Sequence, residues 1–127
     1  MKTTKLSEYP DVKSPAGSDV RFLMNGEMGD MIHCTVPPFQ INKAIVHATV
    51  SEFWYVLEEH GEIWRDNGTE SIITELVPGT AIDIRVGTVF QYRNVSENEL
   101  KFICVAMPPW PGASEATYVQ GKWEPTI

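Results

Sequence analysis

The chain has 127 residues, the length of one domain. Hydrophobic residues make up 43% and charged residues 21%, the balance of an ordinary globular protein. A net charge of −7 argues against a nucleic-acid partner and against an anionic membrane surface, because both need a basic footprint and no Lys/Arg cluster is present.

The first ten residues, from Met1 to Pro10, contain no apolar stretch of the signal-peptide kind. No apolar run approaches the ~18 residues of a membrane helix, so a cytoplasmic protein is expected. Residues 1–17 are polar, carry Pro10, Pro15 and Gly17, and read as an arm. Short runs rich in Val, Ile, Phe, Tyr and Thr then recur between turn residues. They predict strands at Val20–Met24, Met31–Val36, Lys43–Thr49, Glu52–Glu58, Glu62–Asp66, Ser71–Leu76, Thr80–Arg85, Val89–Asn94 and Leu100–Met107. No segment sustains a helical apolar period, so the pattern implies an all-β sandwich or barrel. Pro37-Pro38 and Pro78-Gly79 stop strands, and Ser96-Glu97-Asn98-Glu99 is a polar hairpin loop. Asn67-Gly68 predicts a two-residue hairpin turn, since both residues tolerate positive φ.

Residues 108–127 are Pro-rich yet hold Trp110, Tyr118 and Trp123. Disordered tails are poor in aromatics, so this one is expected to pack on the barrel or on a second subunit. Cys34 and Cys104 sit in apolar runs without metal-type spacing and read as buried thiols in a cytosolic protein, with a disulfide or reactive thiol as the alternative.

His47-Ala48-Thr49-Val50-Ser51-Glu52 runs into Phe53-Trp54-Tyr55-Val56-Leu57, and Gly79, Gly87 and Asn94 punctuate a second stretch. Together these resemble the two signature motifs of the cupin superfamily over roughly residues 18–107. His47, Glu52, Gly79, Gly87 and Asn94 match. Phe39 and Glu59 fall where the first motif has glycines, Ile45 where it has its first histidine, Arg85 on the second motif's proline and Phe90 on its histidine. Trp54-Tyr55-Val56-Leu57, Glu62-Ile63-Trp64-Arg65 and Met107-Pro108-Pro109-Trp110-Pro111-Gly112 further resemble a subgroup of small bacterial cupin-domain proteins. The resemblance implies one all-β domain, a double-stranded β-helix or jelly-roll barrel, over residues 1–127. The arm would cover 1–17, the barrel 18–107 and the tail 108–127.

Strand alternation then places Ile45, His47, Glu52, Trp54, Phe90 and Tyr92 around one cavity. Apolar walls with a few polar groups suit a small organic ligand. His47 and Glu52 are the candidate catalytic pair, His47 as base and Glu52 or Tyr92 as its partner. The bland alternative is that His47 and Glu52 merely satisfy each other inside the barrel. Ile45, Trp54, Phe90 and Tyr92 are the candidate ligand-binding wall. Arg85 and Arg93 are expected to face out or to pair with surface acids, a contact from Arg85 to an anionic ligand being the alternative, and His60 lies in a solvated turn.

Most cupins hold a metal with three histidines and a glutamate, so the resemblance implies a divalent transition metal as cofactor. Ile45 and Phe90 cannot ligate, and that ligand set is incomplete. A metal-dependent enzyme would need His33 as third ligand beside His47 and Glu52. Small cupins are often homodimers, and a homodimer is expected here, with the arm or tail contributing contacts.

Overall fold

Period-two alternation of apolar side chains shapes the architecture. In a computed structural model describing all 127 residues, the strands are β1 (Val12–Lys13), β2 (Asp19–Asn25), β3 (Asp30–Val36), β4 (Ile45–His47), β5 (Ser51–Glu58) and β6 (Gly61–Asp66). They continue as β7 (Ser71–Leu76), β8 (Ala81–Ile84), β9 (Val89–Asn94), β10 (Leu100–Met107) and β11 (Ala116–Tyr118), with a single 3₁₀ turn at Ala113–Glu115. Along β5, Glu52, Trp54 and Val56 are buried while Phe53, Tyr55 and Leu57 are exposed. Along β10, Leu100, Phe102, Cys104 and Ala106 are buried. The expected strands are all present, with ends moved by at most two residues.

The strands form two antiparallel sheets, in the orders β1-β2-β3-β10-β5-β8 and β11-β4-β9-β6-β7. Their inner faces share one core. Val36, Val56, Leu100 and Phe102 from the first sheet meet Ile63, Leu76, Phe90 and Tyr92 from the second. No helix is long and apolar enough to cross a membrane.

The hairpin at Asn67-Gly68 differs from expectation. Pairing ends at Asp66 opposite Ser71, so the loop has four residues, 67–70. Gly68 has a φ of 88° and Asn67 has no positive φ. Asn67 acts through its side chain instead: its Oδ1 accepts from the Thr69 and Glu70 N–H groups at 2.9 and 2.7 Å.

Two short strands lie outside the expected barrel limits of 18–107. β1 comes from the arm and pairs with β2. The arm is also held by Arg21, which donates to the carbonyls of Ser7 and Glu8 at 3.0 and 2.9 Å. β11 comes from the tail and pairs with β4. Farther on, the Gln91 amide both donates to and accepts from the Trp123 backbone, at 2.8 Å each way. The Arg93 guanidinium lies 4.1 Å from the centre of the Trp123 ring while bonded to Glu62. The tail therefore packs on its own barrel, across the outer face of the five-stranded sheet.

Candidate functional site

Residues of β1, β2, β3, β4, β5, β9 and β10, with the arm and the start of the tail, meet in one cavity of about 530 Å³. Ile45 and His47 come from β4, Glu52 and Trp54 from β5, and Phe90 and Tyr92 from β9. These six are the residues expected from strand alternation, and the structure brings all of them together. Strands β3 and β10 add Cys34, Phe102 and Cys104, and the tail adds Trp110.

His47 is 3% exposed. Its ring stands edge-on to Phe90 and to Trp110, with centroids 5.3 and 5.1 Å away. Its Nδ1 is buried and has no hydrogen-bond partner in the chain. Glu52 is also buried, and its Oε1 accepts from the Trp54 indole N–H at 3.0 Å. No nitrogen of His47 comes within 4.0 Å of a Glu52 oxygen. The expected mutual contact is therefore absent, and the pair face the cavity separately. That removes the reading in which each merely satisfies the other.

Tyr92 lines the cavity with its hydroxyl engaged inside the chain. Its hydroxyl is bonded to that of Ser18, which also accepts from the Asn42 amide at 3.1 Å. Burial raises its pKa far above the ordinary phenol value.

His33 does not join the site. Ile32 and Cys34 on either side of it line the cavity, so alternation turns His33 to the outer face of the sheet. There it sits between Arg21 and Ile103 in neighbouring strands. Burial, together with the charges of Arg21 and Lys101, lowers its pKa. The donor set His33, His47 and Glu52 is thus not assembled, and no three His, Cys, Asp or Glu side chains are grouped to hold a metal ion. A cupin-type metal does not fit these residues, because Ile45 and Phe90 occupy the positions that would complete its ligands.

Cys34 and Cys104 are free and buried. Burial pushes both thiols well up, and the nearby Glu52 carboxylate adds to the effect. Arg85 pairs with Asp83 at 3.4 Å, and His60 lies half-exposed near Glu75.

Three features escaped the sequence reading. Phe102 and Cys104 share a face of β10, so the alternation applied to the other strands would have found them. Trp110 was expected to pack but not at this site, and Glu115 lies beyond the motifs with no local signal. Glu115 is 3% exposed, and its carboxylate accepts from the Thr49 N–H, the Thr49 hydroxyl and the Val50 N–H at 2.6–2.7 Å. Desolvation pushes its pKa up, but these hydrogen bonds and the charge of His47 more than offset that, so the net shift is downward.

Two facing antiparallel sheets around an aromatic cavity make this chain a double-stranded β-helix, the cupin fold. Solved structures agree. A conserved protein with a double-stranded β-helix domain from Klebsiella pneumoniae subsp. pneumoniae matches with a TM-score of 0.71 and 19% identity, over 95% of this chain and 99% of that one. The Drosophila melanogaster CENP-C cupin domain matches with a TM-score of 0.69 and 16% identity, over 84% and 82%. The capsular polysaccharide assembling protein CapF from Staphylococcus aureus matches at 0.71 and 16%, over 87% of this chain and 34% of that one. The likeness is one of fold. No protein-family model matches the chain, and no curated protein sequence matches it significantly.

Proposed function

We propose that the chain binds a small organic molecule in the aromatic cavity, between Ile45, Trp54, Phe90 and Tyr92, and that His47 and Glu52 are its polar contacts. The observation that carries this reading is the His47 ring in the cavity wall, whose buried Nδ1 has no hydrogen-bond partner in the chain. An unpaired buried polar group costs about 1–3 kcal/mol, and a ligand that partners it recovers that energy. Any chemistry at the site is metal-independent acid–base chemistry in this reading. His47 is the base, and Glu52 is the neighbouring charge and hydrogen-bond acceptor. Native mass spectrometry and elemental analysis of protein purified without chelators test it. A retained small molecule, lost in His47→Ala, is the expected result. One metal ion per chain with no organic ligand would overturn it.

The same proposal includes a homodimer in the cytoplasm. Two free thiols favour a reducing compartment. The tail covers the outer face of the five-stranded sheet, while the β5 side of the other sheet's outer face is left open. Phe53, Tyr55 and Leu57 of β5 are exposed there beside Ile103 and Val105 of β10. The centre of this patch is uncharged. Its edges carry the opposite-sign pairs Lys101–Glu58 and Arg85–Asp83, which a second copy can match about a twofold axis.

A further inference from the structure

The cavity's polar inventory narrows the ligand further than its aromatic walls do. Four polar groups at the rim are already engaged. Lys13 is paired with Asp19 at 2.7 Å. The Ser14 hydroxyl accepts from the N–H groups of Gly17 and Ser18 at 3.2 and 2.9 Å. The Asn25 amide donates to Asp30 at 2.6 Å, and the other oxygen of Asp30 accepts from the Trp110 N–H at 2.8 Å. Among the charged and imidazole groups, capacity remains on Glu52, whose second oxygen makes no hydrogen bond within the chain, and on His47.

This inventory excludes two large classes of ligand. No arginine lines the cavity, its single lysine is neutralised by Asp19, and a buried carboxylate stands inside. A carboxylate or phosphate ligand would enter unpaired and against a like charge, which is prohibitive in a low-dielectric site. A sugar carries many hydroxyls, and each one buried without a partner is unfavourable. Glu52, His47 and the little capacity left on Ser14 and Asn25 cannot satisfy them.

A single hydroxyl has the complementary chemistry: one O–H donor and lone pairs that accept. Glu52 takes the donor. The imidazole N–H of His47 donates to a lone pair of that hydroxyl. No nitrogen of His47 lies within 4.0 Å of a Glu52 oxygen, so the two groups do not occupy each other directly. The ring attached to it would pack among Trp54, Phe90 and Trp110, which already make edge-to-face contacts with each other or with His47.

Building on the cavity-binding reading above, we propose that the ligand is a neutral, phenol-type molecule: an aromatic body with one hydroxyl bridging Glu52 and His47. Calorimetry on the full-length protein with three probes of one shape tests this. Thymol has the hydroxyl, p-cymene lacks it, and 2-isopropyl-5-methylbenzoate carries a carboxylate in its place. Thymol is expected to bind at least about tenfold more tightly than either of the others, about 1.4 kcal/mol. Glu52→Gln should lower thymol affinity by at least about threefold, a larger loss than it causes for p-cymene. If p-cymene binds as well as thymol, the hydroxyl bridge is wrong while the cavity-binding reading survives. If the benzoate binds best, the phenol class is wrong. If none of the three binds, the cavity-binding reading fails and this inference fails with it. The three-probe comparison stands on the unaltered protein should Glu52→Gln fail to fold.

Discussion

Trp110 stands edge-on to His47, with ring centroids 5.1 Å apart and ring planes at 72°. One ring belongs to a motif strand and the other to the Pro-rich tail, so the tail is part of the site. Two anchors hold it there. Ala116 pairs with His47 along β4, and the buried Glu115 carboxylate binds the turn that follows β4.

Removing that anchor is expected to be expensive. Glu115→Ala strips three hydrogen bonds from a buried carboxylate and should destabilise the protein by about 2–4 kcal/mol, read by urea denaturation. Its pKa is lowered in the folded state. The stability it contributes is therefore fully present above the unfolded value of about 4.5 and is lost as pH falls through the lower folded value. The stability gap between wild type and Glu115→Gln should be full near about pH 6 and shrink on acidification below the ordinary carboxylate range.

Phe39 and Glu59 have φ values of 58° and 70°, the non-glycine residues of the chain in the left-handed region. Both occupy positions where the cupin motif carries glycine. Glycine adopts this conformation without steric penalty, and these residues do not. The left-handed penalty is about 1–2 kcal/mol, partly offset by the greater unfolded-state freedom of glycine. Phe39→Gly and Glu59→Gly should each raise stability by up to about 1 kcal/mol, and Phe39→Ala should not. Phe39 is 62% exposed, so little packing is lost. Thermal unfolding distinguishes these outcomes.

The fold was legible in the sequence because it rests on local rules. Period-two alternation places Trp54 and Phe53 on opposite faces whatever the rest of the chain does. The six cavity residues followed from the same rule, aided by the two motifs. It failed where geometry depends on partners distant in sequence. The direction of His33 follows from the register of β3 against β2 and β10. The separation of His47 from Glu52 depends on how two sheets stack. Glu115 is buried only because the tail returns to the turn after β4, and no local pattern encodes that return.

Burial pushes both thiols well above their ordinary range. Cys34 and Cys104 should therefore be unreactive toward a thiol reagent such as Ellman's in the native protein, and both should react once urea unfolds it. Rapid labelling under native conditions would show that the cavity wall opens.

The bare patch on the six-stranded sheet gives an assembly test. Light scattering should report a mass twice that of the 14.3 kDa chain, and Phe53→Glu should return it to a monomer by placing a charge at the centre of the proposed contact. A wild-type protein that is already monomeric at micromolar concentration would rule out the dimer.

The position of β10 has a consequence for biosynthesis. This strand lies between β3 and β5 in the six-stranded sheet, although it is made long after both. Until Leu100–Met107 leaves the ribosome, two earlier strands present unpaired inner edges, an arrangement prone to wrong association. Closing such long-range pairings is slow. The hollow around His47 can exist only once translation is nearly finished, so a chain arrested or truncated before β10 would be a substrate for chaperones and proteases rather than a partly active protein.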